Sequence, residues 1–110
     1  EAARAFVSRT AEVLLLKGAR TLIAKDGCPL RVNSTGTPAM SNGGQGDLLS
    51  GVLGALLAGG MEPFDAASLG AWICGRAAEI SLTQNGEPCT ATDTAAYIGR
   101  ALLDWRMARR

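Results

Sequence analysis

Histidine is absent from all 110 residues. Imidazole general bases, Ser-His-Asp triads and histidine metal sites are therefore excluded. Aromatic residues amount to only 5% while glycine reaches 14, so the interior has to be built largely from small aliphatic side chains. Cysteine is scarce, odd in number and widely spaced at Cys28, Cys74 and Cys89. With no CxxC pair, neither a disulfide framework nor a zinc site is expected. The three read as reduced cytosolic thiols used as small hydrophobes. An excess of one charge is missing too, with 11 basic residues against 10 acidic ones. That balance leaves no electrostatic footprint for nucleic acid. No uninterrupted apolar stretch is long enough to span a bilayer, and no charged leader precedes a signal-like core, so no membrane association is expected and a cytoplasmic location is. Any catalysis must run on carboxylates, lysine, backbone dipoles or a borrowed cofactor.

What is present is a globular composition, 47% hydrophobic and 19% charged. A chain of this length makes one domain at most and buries roughly two-thirds of its unfolded surface. It starts at Glu1 rather than methionine, so a chain that is processed, trimmed or cut from something longer is expected. Residues 1–9 read as the tail of a helix. Two short apolar runs follow, Val13 to Leu16 and Thr21 to Ala24, with Lys17 to Arg20 as a turn between them. The Asp26-Gly27 turn leads to a third segment, Leu30 to Val32. A three-strand meander fits, its first strand buried on both faces.

Asn33 to Gly46 is a loop by composition. From Asp47 to Ala58 the chain is apolar almost all round, which predicts a buried helix, with a close-packed neighbour offsetting Gly51 and Gly54. Gly59-Gly60 stops it, and Pro63 opens a second helix to about Leu82. Ala67, Gly70, Ala71, Cys74 and Ala78 give that helix a stripe of small residues for a close-approaching backbone. Leu69, Ile73, Ala77 and Ile80 give it a second apolar side, more than so short a chain can cover, so a partner segment is expected. Asn85 to Pro88 is a turn. The last helix is expected from an N-cap at Thr92, with Ala95, Ile98, Leu102 and Trp105 as its apolar stripe and Arg106, Arg109 and Arg110 at its C-terminal dipole. Trp72 and Trp105 read as packing residues.

Chemistry is concentrated in Asn33 to Asp47. A glycine cluster opening into a helix directs unpaired amides outward, and those amides with the helix dipole suit a phosphate or a developing oxyanion. Asp47, in the first helical turn beside that site, can take the proton of a hydroxyl attacking phosphorus. An ordinary loop with a dipole-matching acid explains the same residues equally well. The two familiar phosphate motifs fail: there is no GxxxxGK loop, and Leu49 stands where the dinucleotide fingerprint needs Gly or Ala. Taken alone, Lys17 and Arg20 fit an ordinary solvated turn.

Three linked motifs change that balance: Leu15-Leu16-Lys17-Gly18-Ala19-Arg20-Thr21, then Asn33-Ser34-Thr35-Gly36-Thr37-Pro38-Ala39-Met40, then Gly43-Gly44-Gln45-Gly46-Asp47-Leu48-Leu49-Ser50-Gly51. In this order they closely resemble the NAD(P)H-hydrate dehydratase family, ribokinase-like proteins often described as carbohydrate kinases. The resemblance implies an α/β, ribokinase-like three-layer domain, of which residues 1–110 would be the C-terminal portion, a short strand meander followed by three helices. The implied lyase activity repairs hydrated nicotinamide cofactors: ATP or ADP, with Mg2+, would phosphorylate the added hydroxyl, and loss of phosphate would restore NADH or NADPH. By the same resemblance Asp47 would be the base and touch the hydrate, and Gly43, Gly44, Gln45 and Gly46 would form the anion hole. Lys17, Gly18, Ala19, Arg20, Thr21, Asn33 and Gly46 would bind the nucleotide. No protein metal site is expected. The missing N-terminal segment of the domain would be a partner, and a homo-oligomer is expected. Gln45 departs from the Ser or Thr of many bacterial relatives. Two other readings remain, a small-molecule kinase of the same superfamily acting on a hydroxymethylpyrimidine- or pyridoxal-type alcohol, and a non-catalytic nucleotide-binding piece.

Overall fold

The computed structural model describes residues 12–17 and 20–108. The expected helix over residues 1–9, Gly18-Ala19 and the terminal Arg109-Arg110 lie outside the described residues. The three short strands form as expected: β1 (Leu14–Leu16), β2 (Leu22–Ala24) and β3 (Arg31–Val32) make an antiparallel sheet in the order β1-β2-β3. Leu15 pairs with Ile23, and Ile23 with Arg31, so alternation sends these residues to one face and Leu14, Leu16, Leu22 and Val32 to the other.

The Ile23 face packs on a helix, where Ile23, Phe64, Ala67 and Ala71 form a buried cluster joined by Val13, Leu15 and Cys28. Arg31 clips the sheet edge to that helix, its Nη1 donating to Asp65 at 3.0 Å and to the Ser68 hydroxyl at 2.9 Å while its guanidinium lies 3.8 Å from the Phe64 ring centre. The other face is covered only in part: Ala24 is buried with Leu14 and Leu30 against it, whereas Leu16 is 46% exposed and Val32 52%. The expectation that β1 is buried on both faces therefore fails at Leu16.

Four helices follow: α1 (Gln45–Ala58), α2 (Pro63–Asn85), α3 (Ala91–Ala95) and α4 (Ile98–Ala108). The long α2 is the central element. Pro63 supplies its first turn, and Glu62 caps it by accepting hydrogen bonds from the Phe64 and Asp65 amides. The bond from the Phe64 amide holds the Glu62 carboxyl below its ordinary range against a smaller desolvation effect. All five members of the expected small-residue stripe on α2 are buried, as are Leu69, Ile73 and Ala77 of its second side. Both sides are covered within the chain. One meets α1, the sheet and the loop after β3; the other meets α4 through Ile98, Ala101, Leu102 and Trp105. Trp72 and Trp105 pack in this second cluster as expected.

Apolar surface is left over elsewhere. In α1 only Gln45 and Leu49 are buried, although the sequence predicts an enclosed helix. No described atom lies within 4 Å of a side chain added at Gly51 or Gly54, so the close neighbour expected there is absent among the described residues. The C-terminal helix also differs from expectation. Its N-cap is Thr90, two residues earlier than Thr92, and the helix breaks after Ala95. Of the expected stripe, Ala95 is exposed and Ile98, Leu102 and Trp105 are half-buried, while the fully buried residue of α4 is Ala101, which the stripe did not include. The described residues thus make two layers, a sheet and a helical layer on one of its faces; the third layer of a ribokinase-like domain is not formed by them.

Candidate active site

A cavity of roughly 710 Å3 opens between the sheet, the loop after β3 and the start of α1. Its volume lies within the range of small-molecule sites, ~300–1,000 Å3. Three stretches that are far apart in sequence line it: Lys17, Arg20 and Thr21 after β1; residues 33–38 and 40–42; and Gln45, Gly46 and Leu49 of α1. Ala71, Cys74 and Gly75 of α2 contribute the remaining wall.

The loop after β3 is fastened to α2 by side chains. Asn33 Nδ2 donates to the Ala71 carbonyl at 3.1 Å, the Thr35 hydroxyl donates to the Trp72 carbonyl at 2.9 Å, and the Gly36 amide donates to Glu79 Oε2 at 2.9 Å. Gly36 has φ +117°, a conformation that side chains disfavour. The loop crosses α2 at Gly75, where an added Cβ would lie 2.7 Å from the Thr35 carbonyl carbon and 2.8 Å from the Gly36 nitrogen. Asn33, expected as a nucleotide contact, lines the cavity with its side-chain nitrogen already donating within the protein. Thr35, Gly75 and Glu79 were not singled out from sequence, since their contacts join segments about 40 residues apart. A glycine next to Cys74 in an otherwise favourable helix was the one available sign.

Thr37 caps a single 3-10 turn, Pro38–Met40, and the chain then enters α1 through the glycines. Gly44 is the α1 N-cap, at φ +90° and without any side-chain cap. The first helical bond runs from the Leu48 amide to the Gly44 carbonyl at 3.0 Å. The amides of Gly43, Gly44, Gln45, Gly46 and Asp47 have no hydrogen-bond acceptor among the described residues. A row of amide donors at a helix start is an arrangement that can receive anionic oxygen.

Gln45 contributes its backbone to this row and turns its side chain inward. It is 7% exposed, and its Nε2 lies 3.2 Å from the Cys89 carbonyl, 3.3 Å from Thr94 Oγ1 and 3.3 Å from Asn42 Oδ1. With Asn42 Nδ2, which also donates to the Cys89 carbonyl at 2.7 Å, it ties the loop to the start of α3.

Lys17 reaches the same place from the sheet. Its ammonium nitrogen lies 3.7 Å from where a Cβ on Gly46 would stand. Gly18 and Ala19 are outside the described residues, whereas Arg20 and Thr21 line the cavity. Asp47 is exposed in the first turn of α1, one residue past the cavity wall, and has no hydrogen bond or ion pair among the described residues. A carboxylate so placed is available to an incoming hydroxyl group. Cys74 is no nucleophile here: burial pushes its thiol up to about 11, outweighing the pull of Lys17, so it stays protonated at neutral pH.

No group of three or more carboxylate or thiol side chains able to hold a metal ion occurs among the described residues. No helix among them is long and apolar enough to cross a membrane.

An antiparallel meander feeding a glycine-capped helix, with further helices packed behind it, is the architecture of a ribokinase-like α/β protein. A family model described as NAD(P)H-hydrate dehydratase matches residues 1–100, and the chain belongs to that family. It is 44% identical over 90 residues to the bifunctional NAD(P)H-hydrate repair enzyme Nnr of Hyperthermus butylicus, covering 82% of this chain and 17% of that protein. To the ADP-dependent (S)-NAD(P)H-hydrate dehydratase of Natrialba magadii it is 38% identical over 99 residues, 90% of this chain and 38% of the relative. Among solved structures, the ADP/ATP-dependent NAD(P)H-hydrate dehydratase from Bacillus subtilis, co-crystallised with ATP/Mg2+, superposes with a TM-score of 0.83 at 27% identity, covering 94% of this chain and 38% of that one. The chain therefore spans well under half the length of each of these proteins.

Proposed function

We propose that this chain is the C-terminal, phosphoryl-handling part of a nucleotide-dependent NAD(P)H-hydrate dehydratase, a hydro-lyase that repairs hydrated nicotinamide cofactors in the cytoplasm. One observation carries the reading: five amides at the start of α1 and the carboxylate of Asp47, all without a partner among the described residues, stand beside the ammonium group of Lys17. That set accepts a proton from an attacking hydroxyl group and stabilises charge on the phosphoryl group it attacks.

In this reading Asp47 takes the proton of the hydrate hydroxyl as its oxygen bonds to the terminal phosphorus and the bond to the leaving nucleotide breaks. The amides of Gly43 to Gly46 receive the equatorial phosphoryl oxygens. Lys17 and Arg20 neutralise the phosphate chain, while Thr21, Asn33 and the loop to Thr37 shape the nucleotide wall. Gly18 and Ala19 belong to the same nucleotide segment. Carbon–oxygen cleavage then expels phosphate, and loss of a ring proton restores the reduced nicotinamide. The donor set among the described residues does not make a dedicated metal site. A Mg2+ carried chiefly by nucleotide phosphates needs few protein ligands. The names of the relatives support ADP or ATP as donor. The rest of the domain would supply the remaining sheet and much of the hydrate pocket, and the working protein is read as a homo-oligomer.

The test supplies the full-length protein with NADH hydrate and either ATP or ADP and follows the return of reduced-nicotinamide absorbance. Absorbance is expected to return with at least one of the two. Asp47→Asn should lower turnover by about 10²–10⁴-fold with nucleotide affinity retained. Failure of the wild type to turn over, while folded and nucleotide-bound, sinks the reading. A stable phosphate ester from an alcohol substrate would then identify a kinase.

A further inference from the structure

Glu79 lies outside the machinery described so far, yet it is tied to it. Its Oε2 accepts the Gly36 amide at 2.9 Å, in the middle of the cavity-lining loop. Its Oε1 lies 3.4 Å from Arg76 Nη1. Arg76 Nε in turn donates to Asp104 Oδ2 at 3.1 Å, and Arg100 Nε donates to Asp104 Oδ1 at 3.2 Å. A continuous chain of charged side chains therefore runs from α4, across α2, to one backbone amide of the loop. A carboxylate is well suited to this task, because a charged acceptor makes a stronger bond to an amide than a neutral one and Arg76 limits its rotation. The amide it holds belongs to a glycine at φ +117°, so the direction of the adjoining peptide groups depends on an anchor outside the loop itself.

We propose that Glu79, held by the Arg76–Asp104 pair, is a positioning residue for the nucleotide: through the Gly36 amide it sets the loop wall on which the nucleotide rests. This inference rests on the nucleotide reading above and adds a residue to it. Asn33 and Thr35 tether the start of the loop to α2 carbonyls, and Glu79 holds the next amide, that of Gly36, from the same helix.

The experiment compares wild type, Glu79→Met and Glu79→Gln in the full-length protein, measuring nucleotide affinity by calorimetry, then KM and kcat, with the melting temperature alongside. Methionine keeps the length and the helix propensity and removes the acceptor; glutamine keeps an acceptor oxygen. Expected for Glu79→Met is an affinity for ADP or ATP about tenfold weaker, with nucleotide KM raised in step and kcat little changed. Glu79→Gln should recover most of that loss. Should the methionine variant not fold, Glu79→Ala carries the same expectation, since alanine is favourable in a helix. A folded Glu79→Met or Glu79→Ala that binds nucleotide as well as wild type overturns the proposal and leaves the function intact. A Gln variant no better than Met also overturns it. A wild type that binds neither nucleotide overturns the functional reading and this proposal together.

Discussion

At Gly75 a single methyl group would meet the backbone of Thr35 and Gly36 at 2.7 and 2.8 Å. Backbone cannot rotate aside as a side chain can, so Gly75→Ala is expected to destabilise the protein by about 1–3 kcal/mol in urea unfolding. On the proposed function it should weaken nucleotide binding as well, because the atoms displaced belong to the cavity wall. Gly44 is constrained differently: φ is +90°, and an added Cβ would stand 3.0 Å from the Ala91 side chain. Gly44→Ala is expected to cost about 1–2 kcal/mol by the same measurement. The glycine cluster that contains Gly44 is visible in the sequence, since the positive φ at the helix entry is a local demand, although the contact with Ala91 is not. The requirement at Gly75 is not, because its reason lies some 40 positions away. Gln45 makes the same point. The family resemblance implies a place for it in the anion hole, while its side chain turns inward to contacts with Cys89 and Thr94.

Helix starts and stops are decided within a turn or two, and most were readable. Pro63 opens α2 and Gly59-Gly60 closes α1, both by backbone chemistry that needs no distant partner. The helix α3 starts two residues before the N-cap expected at Thr92, because Thr90 and Asp93 form a reciprocal capping box there. Thr90→Ala is expected to lower the melting temperature by roughly 5 °C. The hydrogen bonds from the Thr90 amide and then its hydroxyl hold the Asp93 carboxyl below its ordinary value of 3.8, against a smaller effect of desolvation. A carboxyl depressed in the folded state stabilises fully above its unfolded value, and that contribution is lost as pH falls through the folded one. Stability is therefore expected to decline below about pH 4. The decline should be shallower in Thr90→Ala, as compared by thermal melts across the acid range.

For the molecule as a whole, the balance of covered and uncovered apolar surface decides its behaviour. The two sides of α2 find cover within the chain, while Leu16, Val32, Leu57, Leu103 and Met107 remain 46–57% exposed. The radius of gyration, 14.0 Å, exceeds the ~13 Å expected for a compact domain of this length. Produced alone, the 110-residue chain is expected to self-associate in a concentration-dependent way in sedimentation. Val32→Lys, on the partly covered sheet face, should shift that association toward monomer without lowering the melting temperature. An unchanged association would place the sticky surface elsewhere.

The meander, the glycine loop, the start of α2 and the acid in the first turn of α1 were determined by the sequence alone. Each rests on rules that act over a few neighbouring residues, namely alternation, turn geometry, capping and the helix dipole. The tertiary structure alone decided that α1 keeps an open side, that Gln45 faces inward, that the loop after β3 crosses α2 at Gly75 and that Glu79 reaches its amide. Those outcomes depend on which segments meet across the fold, and apolar periodicity records only that a face must be covered, without naming what covers it.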